Sequence, residues 1–199
     1  MSQLPVCESI SQLERSYLAY MDRLKAVLDF GEAGVEPLIA ALNHKHANPI
    51  AKALGLLMDN PAAERAVPKL LSWLVTQSPL YSDVLEALVR AGDKTAGQVF
   101  ILIRDYADKD DDEAVRNLFD LACRFSDAVL PDVAAVAQRL LEHPNPELRE
   151  IAADVIWKIG LPYGRTARAQ LQSIATSDPC DHVRQSAVEA LEKVGTAEC

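Results

Sequence analysis

The chain has 199 residues, of which 49% are hydrophobic and 25% charged, a balance that supports a buried core and excludes a disordered tail. Aromatic residues make up only 6% and there are 8 glycines, whereas Ala, Leu and Val are abundant. This composition disfavours a β-sandwich or a glycine-rich nucleotide fold and favours helix. The net charge of -9 and pI near 4.9 argue against nucleic acid or anionic lipid as partner, because phosphate binding draws on Lys and Arg.

The first thirty residues hold no basic stretch followed by an apolar run. No later stretch approaches the roughly eighteen consecutive apolar residues of a membrane span, so a soluble, cytoplasmic chain is expected. Ser11-Gln12-Leu13-Glu14 is a capping box. After it, Leu13, Leu18, Met21, Leu24, Val27 and Leu28 recur near helical spacing up to Gly31, which predicts one long amphipathic helix within residues 1–30. The four cysteines, Cys7, Cys123, Cys180 and Cys199, include no C-x-x-C pair. Reduced thiols without zinc are the expectation.

From residue 31 onward, short amphipathic segments alternate with breakers. Asn145–Gly160 aligns with Asp178–Gly195 at an offset of 35, matching Leu148 to Val183, Arg149 to Arg184, Ala152 to Ala187, Ile156 to Leu191 and Gly160 to Gly195. Val115 and Arg116 continue the pattern 33 residues earlier, and weaker copies begin at Ile50 and Val84. Pro37, Pro68 and Pro131 mark the start or first-turn kink of the first helix of a pair. Asn48-Pro49, Asn60-Pro61, Asn145-Pro146 and Asp178-Pro179 read as an N-cap followed by the first helical residue. Gly31, Gly92, Gly160 and Gly195 read as helix stops.

The framework Val183-Arg184, Ala187, Leu191 and Gly195 resembles the HEAT-repeat family, particularly the short bacterial repeats also found in phycobilisome lyases. The likeness covers residues 31–195, loosely in the first two repeats, where Ala51 and Leu85 replace the Arg. It implies an all-α, right-handed solenoid of about five helix pairs with an N-terminal capping helix. The chain then forms one domain, 1–199, divided into a cap (1–30), repeats (31–195) and a tail (196–199). The motif is specific for a fold, not for a function.

With Val115, Leu148 or Val183 as position zero and 100° per residue, positions 0, +4, +7, +8 and +11 share one stripe and form the expected core. Positions +2, +6 and +9 lie opposite and line the concave face of a HEAT-like stack. In the third repeat these are Asn117, Leu121 and Arg124; in the fourth, Glu150, Asp154 and Trp157; in the fifth, Glu189 stands at +6. Trp157 is a large ring at a position its own helix assigns to solvent, flanked by carboxylates, as an interface anchor would be. Packing of the ring on a neighbouring helix is the competing reading. Trp73 is expected in the core. Residues 1–100 hold 9 basic and 11 acidic side chains, net -2, and residues 101–199 hold 11 and 18, net -7. A partner docking on the C-terminal half is therefore expected to be a basic protein.

No catalytic, metal or cofactor constellation is recognised. Asp108–Glu113 lacks the glycine and terminal Glu of a calcium loop, and Asp111 or Asp112 is better read as a helix cap. His44 and His46 lack further ligands. Cys180 with His182 sits in a turn without an oxyanion donor pair. Arg116, Arg149 and Arg184 form a ladder whose expected partners, from the resemblance, are Asp112, Glu147 and Asp181. The function expected is a non-enzymatic scaffold, adaptor or inhibitor, with an immunity-type inhibitor as a special case, that holds a basic protein on an acidic concave surface. The resemblance also implies an alternative, a bilin lyase or accessory lyase subunit, which an absorbance change on adding bilin would reveal.

Overall fold

The computed structural model describes residues 19, 21–22, 24–41, 47–76 and 81–195. Residues 24–28 are helical, and among the described residues ten further α-helices follow, with no strand. They are α1 (Glu32–Ala41), α2 (Ala47–Leu56), α3 (Val67–Thr76), α4 (Tyr81–Ala91), α5 (Ala96–Ala107), α6 (Asp112–Ala122), α7 (Leu130–Leu140), α8 (Pro146–Ile159), α9 (Arg168–Ser177) and α10 (Asp181–Gly195). Consecutive helices pair, giving the five helix pairs of the expected all-α solenoid. The capping box and the paired histidines lie outside the described residues. Leu24 is buried, and Val27 and Leu28 pack against the core.

Several boundaries form for the reasons visible in the sequence. Asn145 accepts a hydrogen bond from the Glu147 amide at 3.0 Å, Asn60 from Ala62 at 3.0 Å, and Asp111 from Ala114 at 3.0 Å. Each side chain supplies an acceptor to a first-turn N–H that has no partner within its helix. Asn60 caps a 3-10 turn, Pro61–Ala66, that leads into α3; similar turns at Asp93–Thr95 and Tyr163–Ala167 lead into α5 and α9.

Four boundary expectations need correction. Pro37 lies well inside α1 rather than in its first turn, where its ring removes the N–H that would bond back to Ala33. Asn48-Pro49 falls within the first turn of α2, which begins at Ala47. Asp178 does not cap α10, which begins at Asp181; its carboxylate accepts from the Cys180 amide, two residues on, at 2.9 Å in the turn before the helix. Gly195 is the last residue of α10 itself.

The buried face is a continuous cluster running from Leu24 to Val194. Of the expected core ladder, Leu148, Ala152, Ile156, Val183 and Ala187 are fully buried, while Leu191 is only partly so. Trp73 is half-buried against the core. Besides contacts within each pair, the repeats join through their second helices: α2 against α4, α6 against α8, and α8 against α10. The row of second helices is thus the tighter row, as expected for the inner arc of a curved stack. At the middle of the array α6 also packs against α3, the first helix of the second repeat. Its Asn117 amide donates to the Leu74 carbonyl of α3 at 3.2 Å.

Polar links tie the outer row from one repeat to the next. Arg65 pairs with Glu36 at 3.2 Å, and Lys94 with Glu64. The Ser126 amide and hydroxyl both donate to the Asp93 carboxylate, holding its pKa below the ordinary value.

Close approach at one glycine gives a stability test. A Cβ on Gly164 would stand 2.6 Å from Val194 Cγ1 and 2.9 Å from Ile156 Cγ2, both on β-branched side chains that have little rotamer freedom in a helix. Gly164→Ala is expected to cost about 1–3 kcal/mol through overpacking. Gly97, which has open space around its Cβ position, should accept Ala without loss. Urea unfolding of the two variants checks this, and equal midpoints would refute the close packing.

Candidate functional site

The second helices of the last three repeats expose a grooved surface. Between α6 and α8 lies a hollow of about 400 Å³ lined by Phe119, Cys123, Ile151 and Val155, with Arg116, Asn117, Asp120, Asp154 and Lys158 around them. A second, of about 300 Å³, lies between α8 and α10 against Asp154, Trp157, Lys158 and Glu189. The two share Asp154 and Lys158 and so flank α8 on opposite sides. A third hollow brings Arg124 together with Ser82, Leu85, Glu86 and Val89 of α4.

Trp157 is 48% exposed and projects from the last turn of α8. Lys193 of α10 places its ammonium 5.7 Å from the centre of the indole ring, within cation–π range. Its stem also runs beside Gly160, whose φ of +59° ends α8. Neither reading of Trp157 is complete: α10 covers part of the ring and the rest faces solvent.

The charges around the groove are largely paired. Lys158 bonds Asp120 at 2.5 Å, and Arg124 reaches the same carboxylate at 3.2 Å. Arg116 stands 3.7 Å from Asp154, not beside Asp112. Burial raises the pKa of Asp154, with Glu150 and Glu189 adding to the effect, against a hydrogen bond from Ser186 and the charge of Arg116. Burial also pushes the Cys123 thiol up to about 11, so at neutral pH it is protonated and a weak nucleophile. Much of the acidity of the C-terminal half lies off the groove, at Asp105, Asp108, Asp110, Glu113, Asp127 and Glu142, all exposed.

Of the seven residues assigned to the concave face, Asp154, Trp157 and Glu189 meet at one hollow and Asn117 lines its neighbour. Glu150 acts electrostatically on Asp154. Arg124 is exposed but borders the third hollow. Leu121 is a correction: it is fully buried and offers nothing to a partner. The reason is a roll of α6 about its axis relative to α8. The outward residues of α6 and the turn after it are Arg116, Asn117, Asp120 and Arg124, whereas those of α8 are Glu150, Asp154, Trp157 and Lys158. One signal was available: position +5 is Asp120 in α6 but the fully buried Ala153 in α8.

Sequence reasoning missed Phe119, Cys123, Ile151 and Val155, which form the apolar part of the larger hollow. It also missed the pairing of Arg149. That guanidinium bonds Asp178 through Nε at 2.7 Å and Nη2 at 2.9 Å, and reaches the His143 and Pro144 carbonyls at 2.8 Å. Arg184 does pair with Asp181, as expected. Cys180 and Cys123 are free thiols. Among the described residues no His, Cys, Asp and Glu side chains group to hold a metal, and no helix is long and apolar enough to cross a membrane.

Comparison with known proteins supplies a name for the repeat. Residues 133–198 match the family model of HEAT repeats. No curated protein matches the chain in sequence. Among solved structures, an engineered protein from the Northeast Structural Genomics Consortium is 21% identical, with 87% of this chain and 83% of that chain covered and a TM-score of 0.45. A designed armadillo repeat protein is 15% identical over 87% and 86% of the two chains, with a TM-score of 0.43. The matched segment spans most of the last two helix pairs, and the three pairs before it show the same alternation of outer and inner helices: the chain is an all-α repeat protein whose C-terminal third matches HEAT repeats.

Proposed function

We propose that this solenoid is a protein-binding scaffold of the adaptor or inhibitor kind, and that it holds a basic partner on the inner row of its last three repeats. The observation that carries the reading is Trp157, a half-exposed ring beside the Asp154 and Glu189 carboxylates in the hollow between α8 and α10. Large aromatic side chains at the centre of a polar surface are where binding energy concentrates in protein interfaces. The carboxylates of Glu150, Asp154 and Glu189 near the ring favour a cationic partner, and the acidity spread over the outer loops acts at longer range by steering such a partner inward.

The test is affinity capture with the wild-type chain, followed by binding measurements on the captured partner. Trp157→Ala is expected to weaken binding by about 2 kcal/mol or more, acting mainly on dissociation. The double substitution Glu150→Lys with Asp154→Lys is expected to slow association and flatten its salt dependence. Folded variants that bind as wild type would remove the inner row from consideration.

A further inference from the structure

The boundaries between successive repeats differ in how firmly they hold. Where the first repeat meets the second, α2 and α4 approach closely because small residues face each other: a Cβ on Gly55 would stand 3.0 Å from the Ala87 Cα. Where the second meets the third, α6 packs on α3 and the Asn117 amide reaches the Leu74 carbonyl at 3.2 Å. Where the fourth meets the fifth, α8 and α10 pack closely and the sheltered Arg149–Asp178 pair spans the boundary. Gln138 and Gln170 also reach across its outer side, to the Thr166 carbonyl at 3.3 Å and to Glu142 at 2.5 Å.

The boundary between the third and fourth repeats is built differently. Here α6 and α8 meet over the bulky Phe119, Ile151 and Val155, which line a hollow of about 400 Å³ rather than closing it. Larger residues at a contact hold helix axes further apart. The ion pairs beside that hollow, Lys158 with Asp120 and Arg116 with Asp154, use cations that are 45% and 53% exposed, and exposed pairs are weak and stretch at little cost. The outer side, in contrast, is pinned. The chain crosses from α6 to α7 through residues 123–129, and in that turn the Ser126 amide donates to Asp93 at 2.9 Å, with the Ser126 hydroxyl on the same carboxylate. One edge held and the opposite edge spanning a void is the form of a hinge.

We propose that the array consists of two rigid bodies, α1 to α6 and α7 to α10, that pivot on the turn holding Ser126 and so open and close the hollow between α6 and α8. Each repeat of a solenoid contacts only its neighbours, so one weak boundary concentrates bending there instead of spreading it along the chain. The pivot sets the width of the inner row where α6 faces α8, and it belongs to the chain itself, whatever docks on that row.

A lanthanide chelate fixed to one body tests this in the full chain. The attachment point is the exposed Ser72 of α3, through an azide-bearing residue in its place, and residual dipolar couplings are measured for the backbone N–H groups of every helix. The couplings of α1 to α6 are expected to share one alignment tensor. Those of α7 to α10 are expected to report a tensor reduced by motion to about four-fifths of that size or less. With the chelate moved to the exposed Gln172 of α9, the reduction should fall on α1 to α6 instead. A single tensor of full size for all helices overturns the proposal. So do two tensors of equal size that differ only in direction, which describe a fixed bend, and a reduction that already begins at α5, which places the pivot elsewhere.

Discussion

Ala152→Asp and Ala187→Asp are each expected to unfold the C-terminal repeats, at a cost of about 3–5 kcal/mol, the scale for an unpaired charge forced into an interior. Ala152 lies in α8 and Ala187 in α10, both fully buried, and these two helices pack directly on one another. Their methyl groups leave no room for a carboxylate, and no water reaches one placed there. A natural domain is stable by only about 5–15 kcal/mol, so either change removes a large share of the total. Because each repeat of a solenoid contacts only its neighbours, the loss should be local. Hydrogen exchange is expected to accelerate in α7 to α10 while α3 and α4 keep their protection. Val188→Asp, one position from Ala187 but exposed, is the control and should melt as wild type. Equal melting of all three variants would show that α8 and α10 do not meet as described.

The second large effect belongs to Arg149 and Asp178, whose side chains are 11% and 5% exposed. They form a bidentate pair between the start of α8 and the turn before α10, and Arg184 donates to the Asp178 carbonyl at 2.6 Å. Removing one partner leaves the other charge buried alone, so Asp178→Ala is expected to cost about 3–5 kcal/mol. Arg149→Lys should recover little, since a point ammonium cannot reproduce the fork that reaches the carboxylate and two carbonyls together. The pair also fixes a pH response. Hydrogen bonds from Arg149 first, then from the Cys180 amide, hold the Asp178 carboxyl below its ordinary value. A depressed carboxyl contributes stability that is fully present above its unfolded pKa of about 4 and is lost as the pH falls through the lower folded value. The raised pKa of Arg149 adds no slope in that window, because the guanidinium stays protonated there. Denaturant unfolding between pH 7 and pH 2 should show the wild type losing stability below about pH 4. Asp178→Asn should be weaker at neutral pH and flatter across the acid range. Parallel curves for the two proteins would mean that Asp178 is not the titrating group.

Local physics determined much of this architecture from sequence alone. Asn145 and Asn60 cap because a short acceptor side chain followed by proline suits one place along a helix, and Asp111 caps because its carboxylate reaches a free first-turn amide; neither needs distant residues. The core positions Leu148, Ala152, Ile156, Val183 and Ala187 follow from 3.6-residue periodicity, and the number of helix pairs follows from the spacing of prolines and glycines. Trp157 and its neighbouring carboxylates were legible for the same reason, since a helix wheel assigns them a shared outward face. What the wheel does not contain is the neighbour. Leu121 occupies the same repeat position as Asp154 yet is buried, because α6 meets α3 as well as α8 and rolls to cover a wider apolar face. Arg149 chose Asp178, 29 residues away, over the adjacent Glu147, since the fold brings that carboxylate into a sheltered turn where a bidentate bond is stronger than an exposed pair. The hollow over Phe119, Ile151 and Val155 likewise exists only between two packed helices. Periodicity determines which side of a helix turns away from water, and the packing partner decides how far around the helix that side extends.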